Sequence, residues 1–151
     1  VRKRWDGPLI IKGIMEIDDA KHAVKCGADA IVVSNHGGRQ LDGAPSSISV
    51  LPEIVKAIRE IDNSFPILID GGIRSGQDIL KAIALGAHAA LVGRSYIYGL
   101  GAFGEKGVQK ILSILQDELS CSMAFCGVTE MDKVSRSILR RNPMNELLDS
   151  L

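Results

Sequence analysis

Ala30-Ile31-Val32-Val33-Ser34-Asn35-His36-Gly37-Gly38-Arg39-Gln40 joins an uninterrupted apolar run to a polar, glycine-containing loop. The run is four residues of small and β-branched side chains with no alternation, the pattern of a strand buried on both faces, which parallel strands are. Three further runs share this form: Leu9 to Lys12, Ile67 to Asp70, and Ala89 to Gly93. Each ends, like the first, on a polar residue or a glycine.

Helical patterns lie between these runs. Asp18 and Asp19 open a segment with Ala20, Ala23 and Val24 on one face, and Gly27 closes it. A second helix is predicted over Leu51–Ile61, with Pro52 and Glu53 in its first turn, where a missing N–H and a negative charge are tolerated. Ser75 and Asp78 form an S-x-x-D start for a third, which Gly86 ends. A long helix is expected from Glu105 to Met123 on the stripe Val108, Ile111, Leu112, Leu115 and Leu119, covering the final strand. Thr129 and Asp132 are read as the start of a shorter helix to Leu139, and Arg140 to Leu151 as a polar, loosely held tail.

Alternating strand and helix admits an open doubly wound sheet or a closed barrel. Lys12, Ser34, Asp70 and Gly93 all fall at C-terminal strand ends, the face on which barrels assemble their sites, and this favours the barrel. An open sheet also binds ligands there.

Composition narrows the function. Of 151 residues 46% are hydrophobic, enough for a core, and 18 basic residues balance 18 acidic ones. With no net field to draw nucleic acid or an anionic membrane, any anion must be held by local geometry. No run is long enough to span a membrane and no signal peptide is evident. The cysteines Cys26, Cys121 and Cys126 are odd in number and lack metal-ligand spacing, so no metal site and a reducing, cytoplasmic setting are predicted.

The loop after the second strand concentrates the chemistry. His36 supplies a group that takes and gives protons near neutrality, and Arg39, three residues on, supplies a planar fork suited to a carboxylate. Gly37 and Gly38 let the backbone turn sharply between them. The plain alternative is a strand-capping histidine beside a solvated arginine. Asp70-Gly71-Gly72-Ile73-Arg74 sets glycine-rich backbone before a helix start, and Gly93-Arg94 adds a close-approach glycine and a cation; both loops suit a phosphate. Lys12 by itself reads equally as a strand-end lysine reaching for solvent.

Ser34-Asn35-His36-Gly37-Gly38-Arg39-Gln40 resembles the active-site signature of the FMN-dependent 2-hydroxy-acid dehydrogenases and oxidases, which include glycolate oxidase, flavin-type lactate dehydrogenases and mandelate dehydrogenase. The resemblance runs from Trp5-Asp6-Gly7-Pro8 through Gly93-Arg94 and, more weakly, along the long helix. It implies oxidation of a small L-2-hydroxy acid to the 2-oxo acid. His36 would be the base, taking a proton from carbon or oxygen while a hydride equivalent passes to FMN, and Arg39 would grip the substrate carboxylate. It further implies that Lys12 lies at the flavin pyrimidine edge, that Ser34 contacts the flavin, and that Asp70, Gly71, Gly72, Ile73, Arg74, Gly93 and Arg94 hold ribose and phosphate. Gly38 and the Trp5 lead-in look more like the lactate and mandelate branch.

The same resemblance implies an (β/α)₈ barrel of which residues 1–151 supply strands five to eight, followed by C-terminal helices. Four units where eight close a barrel, and Val1 in place of an initiator methionine, are read as truncation. The first half would bring an active-site tyrosine, an acidic partner for the histidine and, in some relatives, a segment that docks at the inner membrane. A half-barrel exposes strand edges, which predicts homo-oligomers or completion by an N-terminal half. Three alternatives remain at this point: a flavin-dependent isoprenoid isomerase, a nucleotide dehydrogenase with similar phosphate loops, and a noncatalytic half-barrel that binds phosphate or flavin or serves in assembly.

Overall fold

A computed structural model describes residues 1–140. Four strands, β1 (Ile10–Ile14), β2 (Ala30–Val33), β3 (Ile67–Ile69) and β4 (Ala89–Ala90), form one parallel sheet in the order of the chain. Helices α1 (Ile17–Lys25), α2 (Ser47–Arg59) and α3 (Gly76–Ala84) connect them, and α4 (Arg94–Phe125) follows. All four predicted strands are present, each as a strand–helix unit.

The helices cover one face of the sheet. Ile31, Val33, Ile67 and Ile69 meet Ala20, Ala23, Leu51, Ile54 and Ile58 there in one core cluster. Each large aliphatic side chain removed from water in this way contributes about 1.5–3 kcal/mol. By register Ile10, Lys12, Ala30, Val32 and Leu68 share the opposite face. On that face β1 is open, with Ile10 exposed, so the continuous apolar runs are helix-covered on one side only among the described residues. This opposite face carries Lys12 toward the C-terminal strand ends.

Three helix expectations are corrected. Helix α2 starts at Ser47, four residues before the predicted Leu51, so Pro52 sits inside it and Glu53 is outside the first turn. The cause is tertiary: the buried Ser47 hydroxyl accepts the Asn35 N–H at 3.1 Å, fastening the first turn to the loop after β2. Proline's missing donor disfavours a helix interior, and the packing of Leu51, Ile54 and Ile58 outweighs it.

Helix α4 begins at Arg94 and breaks at Phe103–Gly104, where Gly104 has φ of 59°. Its second half matches the predicted helix but packs on α3, not over β4. Leu115 is buried, Val108, Ile111 and Leu119 are half-buried, and Leu112 is exposed. Contact with α3 is close: a Cβ on Gly76 would lie 2.0 Å from the Leu119 nitrogen. The helix expected from Thr129 to Leu139 is two 3₁₀ turns, Met131–Lys133 and Arg136–Ile138, separated by extended Val134 and Ser135. A β-branched residue and two serines, whose hydroxyls compete for backbone partners, weaken a helix there. Of the predicted tail, residues 141–151 lie outside the described residues.

Candidate active site

The site is built from the ends of all four strands. At the end of β1 the register slips by one residue between Lys12 and Ile14, making a bulge at Gly13, which has φ of 97°. Bulges re-aim side chains after the slip, while Lys12, still in register with Val32, reaches the loop after β2 from the face it shares with Ile10. Its ammonium donates to the Ser34 hydroxyl at 2.8 Å and pairs with the Asp70 carboxylate beyond the end of β3.

Ser34 is buried, and its Oγ also accepts the His36 N–H at 3.1 Å. One hydroxyl thus ties the lysine to the backbone of the histidine. Asn35 closes the turn: its Oδ1 accepts the Gly37 N–H at 3.0 Å and its Nδ2 donates to the Pro45 carbonyl at 3.1 Å. These bonds hold His36 at φ of 56°, a left-handed conformation that a residue other than glycine adopts only when its surroundings impose it.

A cleft of about 430 Å³ opens at these strand ends. It is lined by Lys12, His36, Gly37, Arg39, Asp70 to Arg74, Leu91 to Ser95, and Ile97. Every residue assigned a catalytic, substrate or cofactor role from the sequence is therefore a wall of one cavity except Ser34, which lies beneath it as a hydrogen-bond hub. His36 and Arg39 are both exposed to it and are not bonded to each other; among the described residues the imidazole makes no hydrogen bond.

The charge of the cleft is lopsided. Among the described residues that line it, Lys12, Arg39, Arg74 and Arg94 face Asp70 as the one acid, in a chain with no net charge. Lys12 offsets Asp70, leaving three guanidinium groups for anionic ligands. The Arg94 guanidinium reaches across to the Gly37 carbonyl at 3.4 Å, a weak contact linking the last loop to the His36 loop.

Phosphate donors are distributed differently from the sequence expectation. The start of α3 is occupied by the protein itself: Asp78 accepts the Arg74 and Ser75 N–H groups at 3.0 Å, Ser75 accepts the Asp78 N–H, and Glu118 of α4 accepts the Gly76 N–H at 2.8 Å. The start of α4, after Gly93, has no side-chain cap and opens into the cleft. The free helix end favouring an anion is thus that of α4, with Gly71 and Gly72, both at positive φ, as the neighbouring backbone wall.

Asp70 Oδ1 is buried without a hydrogen-bond partner among the described residues, so the cleft presents an acceptor suited to a donor such as a ligand hydroxyl. One orphaned acceptor, an open helix start and three arginines together fit a ligand with hydroxyl and phosphate groups.

Several contributors escaped the sequence reading. Asn35 and Ser47 support the loop, and Leu91, Val92, Ser95 and Ile97 line the cleft. Gly13 faces the imidazole: a Cβ there would lie 3.0 Å from His36 Cε1. The Ser47 signal was masked by Pro52, and Gly13 carries no local mark that distinguishes it from any strand glycine. Among the described residues no group of three or more His, Cys, Asp or Glu side chains is gathered to hold a metal, and no helix is long and apolar enough to cross a membrane.

Comparison with known proteins gives a concordant result. The family model of the FMN-dependent dehydrogenases matches residues 1–141. The chain is 50% identical over 144 residues to 2-hydroxyacid oxidase 1 of Mus musculus, covering 95% of this chain and 38% of that protein. It is 47% identical over 141 residues to an L-lactate dehydrogenase of Caulobacter sp. (strain K31), covering 93% and 36%. The solved structure of mandelate oxidase with 3,3-difluoro-2-hydroxy-3-phenylpropionic acid superposes with a TM-score of 0.83 at 47% identity, over 89% of this chain and 40% of that one. The chain spans less than two fifths of the length of these two curated relatives.

Proposed function

The chain belongs to the FMN-dependent dehydrogenase family and carries part of a (β/α)₈ barrel, and from that premise we propose that its site serves the oxidation of a small L-2-hydroxy acid to the 2-oxo acid. The observation that carries the reading is the grouping of His36, Arg39 and Lys12 in one cleft with the Asp70 and Arg94 loops. We read residues 1–151 as strands five to eight of the parent barrel.

Flavin mononucleotide, when bound, supplies the acceptor for the two electrons that leave the hydroxy acid. Its phosphate suits the open start of α4 with Arg94 and Arg74, and a hydroxyl of its side chain suits the orphaned Asp70 Oδ1. Lys12, with two of its contacts taken by Asp70 and Ser34, keeps one N–H to offer an acceptor on the flavin ring.

The remaining steps fall to the chain's own side chains. Arg39 grips the substrate carboxylate through its two-pronged donor face, which orients the hydroxyl-bearing carbon toward His36. His36 accepts the proton the substrate loses, from carbon or oxygen, at its cleft-facing ring nitrogen. The three arginines of the cleft favour the anionic substrate over neutral alcohols.

Both edges of the sheet bear exposed apolar side chains, Ile10 on β1 and Leu91 just after β4, and the first half of α4 exposes Tyr96, Ile97, Tyr98, Leu100 and Phe103. This supports their coverage by the other barrel strands or by a second copy of the chain. A noncatalytic phosphate- or flavin-binding module is the second reading, favoured by the lack of any hydrogen bond to the His36 imidazole among the described residues.

The test is a pair of substitutions in the intact enzyme. His36→Ala is expected to remove turnover of lactate, mandelate or glycolate by 10³-fold or more with flavin still bound, and Arg39→Ala to raise KM and lower kcat together. Unchanged turnover in the first would remove His36 from the chemistry, and loss of flavin in either would mean that cofactor and substrate contacts are exchanged.

A further inference from the structure

We infer that Gly13, at the bulge of β1, is a positioning residue for His36: the missing side chain is the seat of the imidazole. The assignment rests on the reading of His36 as the base. Strand β1 brings Gly13 to the imidazole because the bulge inserts one residue between Lys12 and Ile14 and turns this position toward the loop after β2.

A Cβ built on Gly13 would lie 3.0 Å from His36 Cε1 and 3.8 Å from Nδ1, and among the described residues other than its chain neighbours Lys12 and Ile14 it would meet no other residue within 4 Å. The ring therefore rests its Cε1 edge on the glycine. Of the two ring nitrogens, Nδ1 is the nearer to that position. No hydrogen bond to the ring fixes this orientation among the described residues, so contact with bare backbone on one side is what the described residues supply.

His36 is anchored through its backbone, and its imidazole is exposed to the cleft. Its own backbone is held at φ of 56° by the Ser34 hydroxyl on its N–H and by the Asn35 bond to Gly37. An added methyl would sit closer than an ordinary carbon–carbon separation of about 3.5–4.0 Å, so the ring would have to give by a few tenths of an ångström. Catalytic groups tolerate about that much error before rate is lost. The bulge thus leaves the gap that the imidazole occupies.

A thermodynamic cycle of Gly13→Ala and His36→Ala, followed by urea unfolding, tests the contact without turnover. Part of the penalty of Gly13→Ala comes from φ of 97° and is the same in both backgrounds. The part due to the ring disappears with His36→Ala. The expected result is that Gly13→Ala lowers the folding equilibrium constant at least threefold more when His36 is present than when it is alanine. Equal penalties, or failure of Gly13→Ala to fold in both backgrounds, would place the need for glycine in the backbone alone and overturn the assignment.

In the intact enzyme Gly13→Ala is expected to lower kcat about tenfold, with KM and flavin affinity within threefold and a changed His36 Cε1–H resonance. An unmoved resonance with full kcat would also overturn it. A wild-type protein that never oxidises a hydroxy acid would refute the proposed function, and the unfolding cycle would still decide the Gly13 contact.

Discussion

Replacing Ser34 by alanine removes a single buried oxygen and should be felt in both stability and chemistry. The hydroxyl accepts two bonds, from the His36 N–H at 3.1 Å and from the Lys12 ammonium at 2.8 Å, in a residue 1% exposed. An alanine methyl has almost the same shape, so no cavity results. The His36 N–H, however, is left without a partner, at a cost of about 1–3 kcal/mol. The lysine bond is charge-assisted but its side chain is 43% exposed, so its loss adds under about 1 kcal/mol. Together these give about 1–4 kcal/mol, or a fall in Tm of roughly 2–4 °C for each kcal/mol. Urea unfolding of the two proteins measures the difference directly. Turnover should fall with it, because the N–H bond is part of what holds His36 in its left-handed conformation. A stability loss below about 0.5 kcal/mol would refute the view that Ser34 is the hub of the loop.

Arg94→Gln should weaken flavin mononucleotide about tenfold or more while leaving riboflavin unaffected, and the difference should shrink as salt rises; isothermal titration with both flavins measures it. Asp29 is held below the usual carboxylate range, first by the Leu9 N–H and then by Arg2. A depressed carboxylate adds stability that is complete above its unfolded pKa of about 3.8 and is lost as pH falls from there through the lower folded value. Asp29→Asn should therefore flatten that acid limb in urea melts between pH 4 and pH 2 and leave its slope near neutrality unchanged.

The fold was legible where one local signal sufficed. Uninterrupted apolar runs marked β1 to β4, and the Ser75–Asp78 capping box marked the start of α3. The sequence went wrong where distant contacts decide. A proline at 52 argues for a helix start, yet Ser47 is anchored to Asn35 twelve residues away, and the helix begins there. The glycines before α3 suggested open amides at its N-terminus, yet Glu118, forty-two residues on, takes the Gly76 N–H. The residues named at the C-terminal strand ends line one cleft, because polar residues there converge whatever their order in the chain. Gly13 was invisible because its role depends on the place of a ring twenty-three residues later.

The most direct measurement is an anaerobic titration of the protein with flavin mononucleotide, followed by addition of lactate, mandelate or glycolate while the flavin absorbance near 450 nm is recorded. Saturable binding of flavin, and bleaching that is lost in His36→Ala, is the result the account predicts. Flavin that binds and stays oxidised under every hydroxy acid, in a protein with His36 intact, would contradict it.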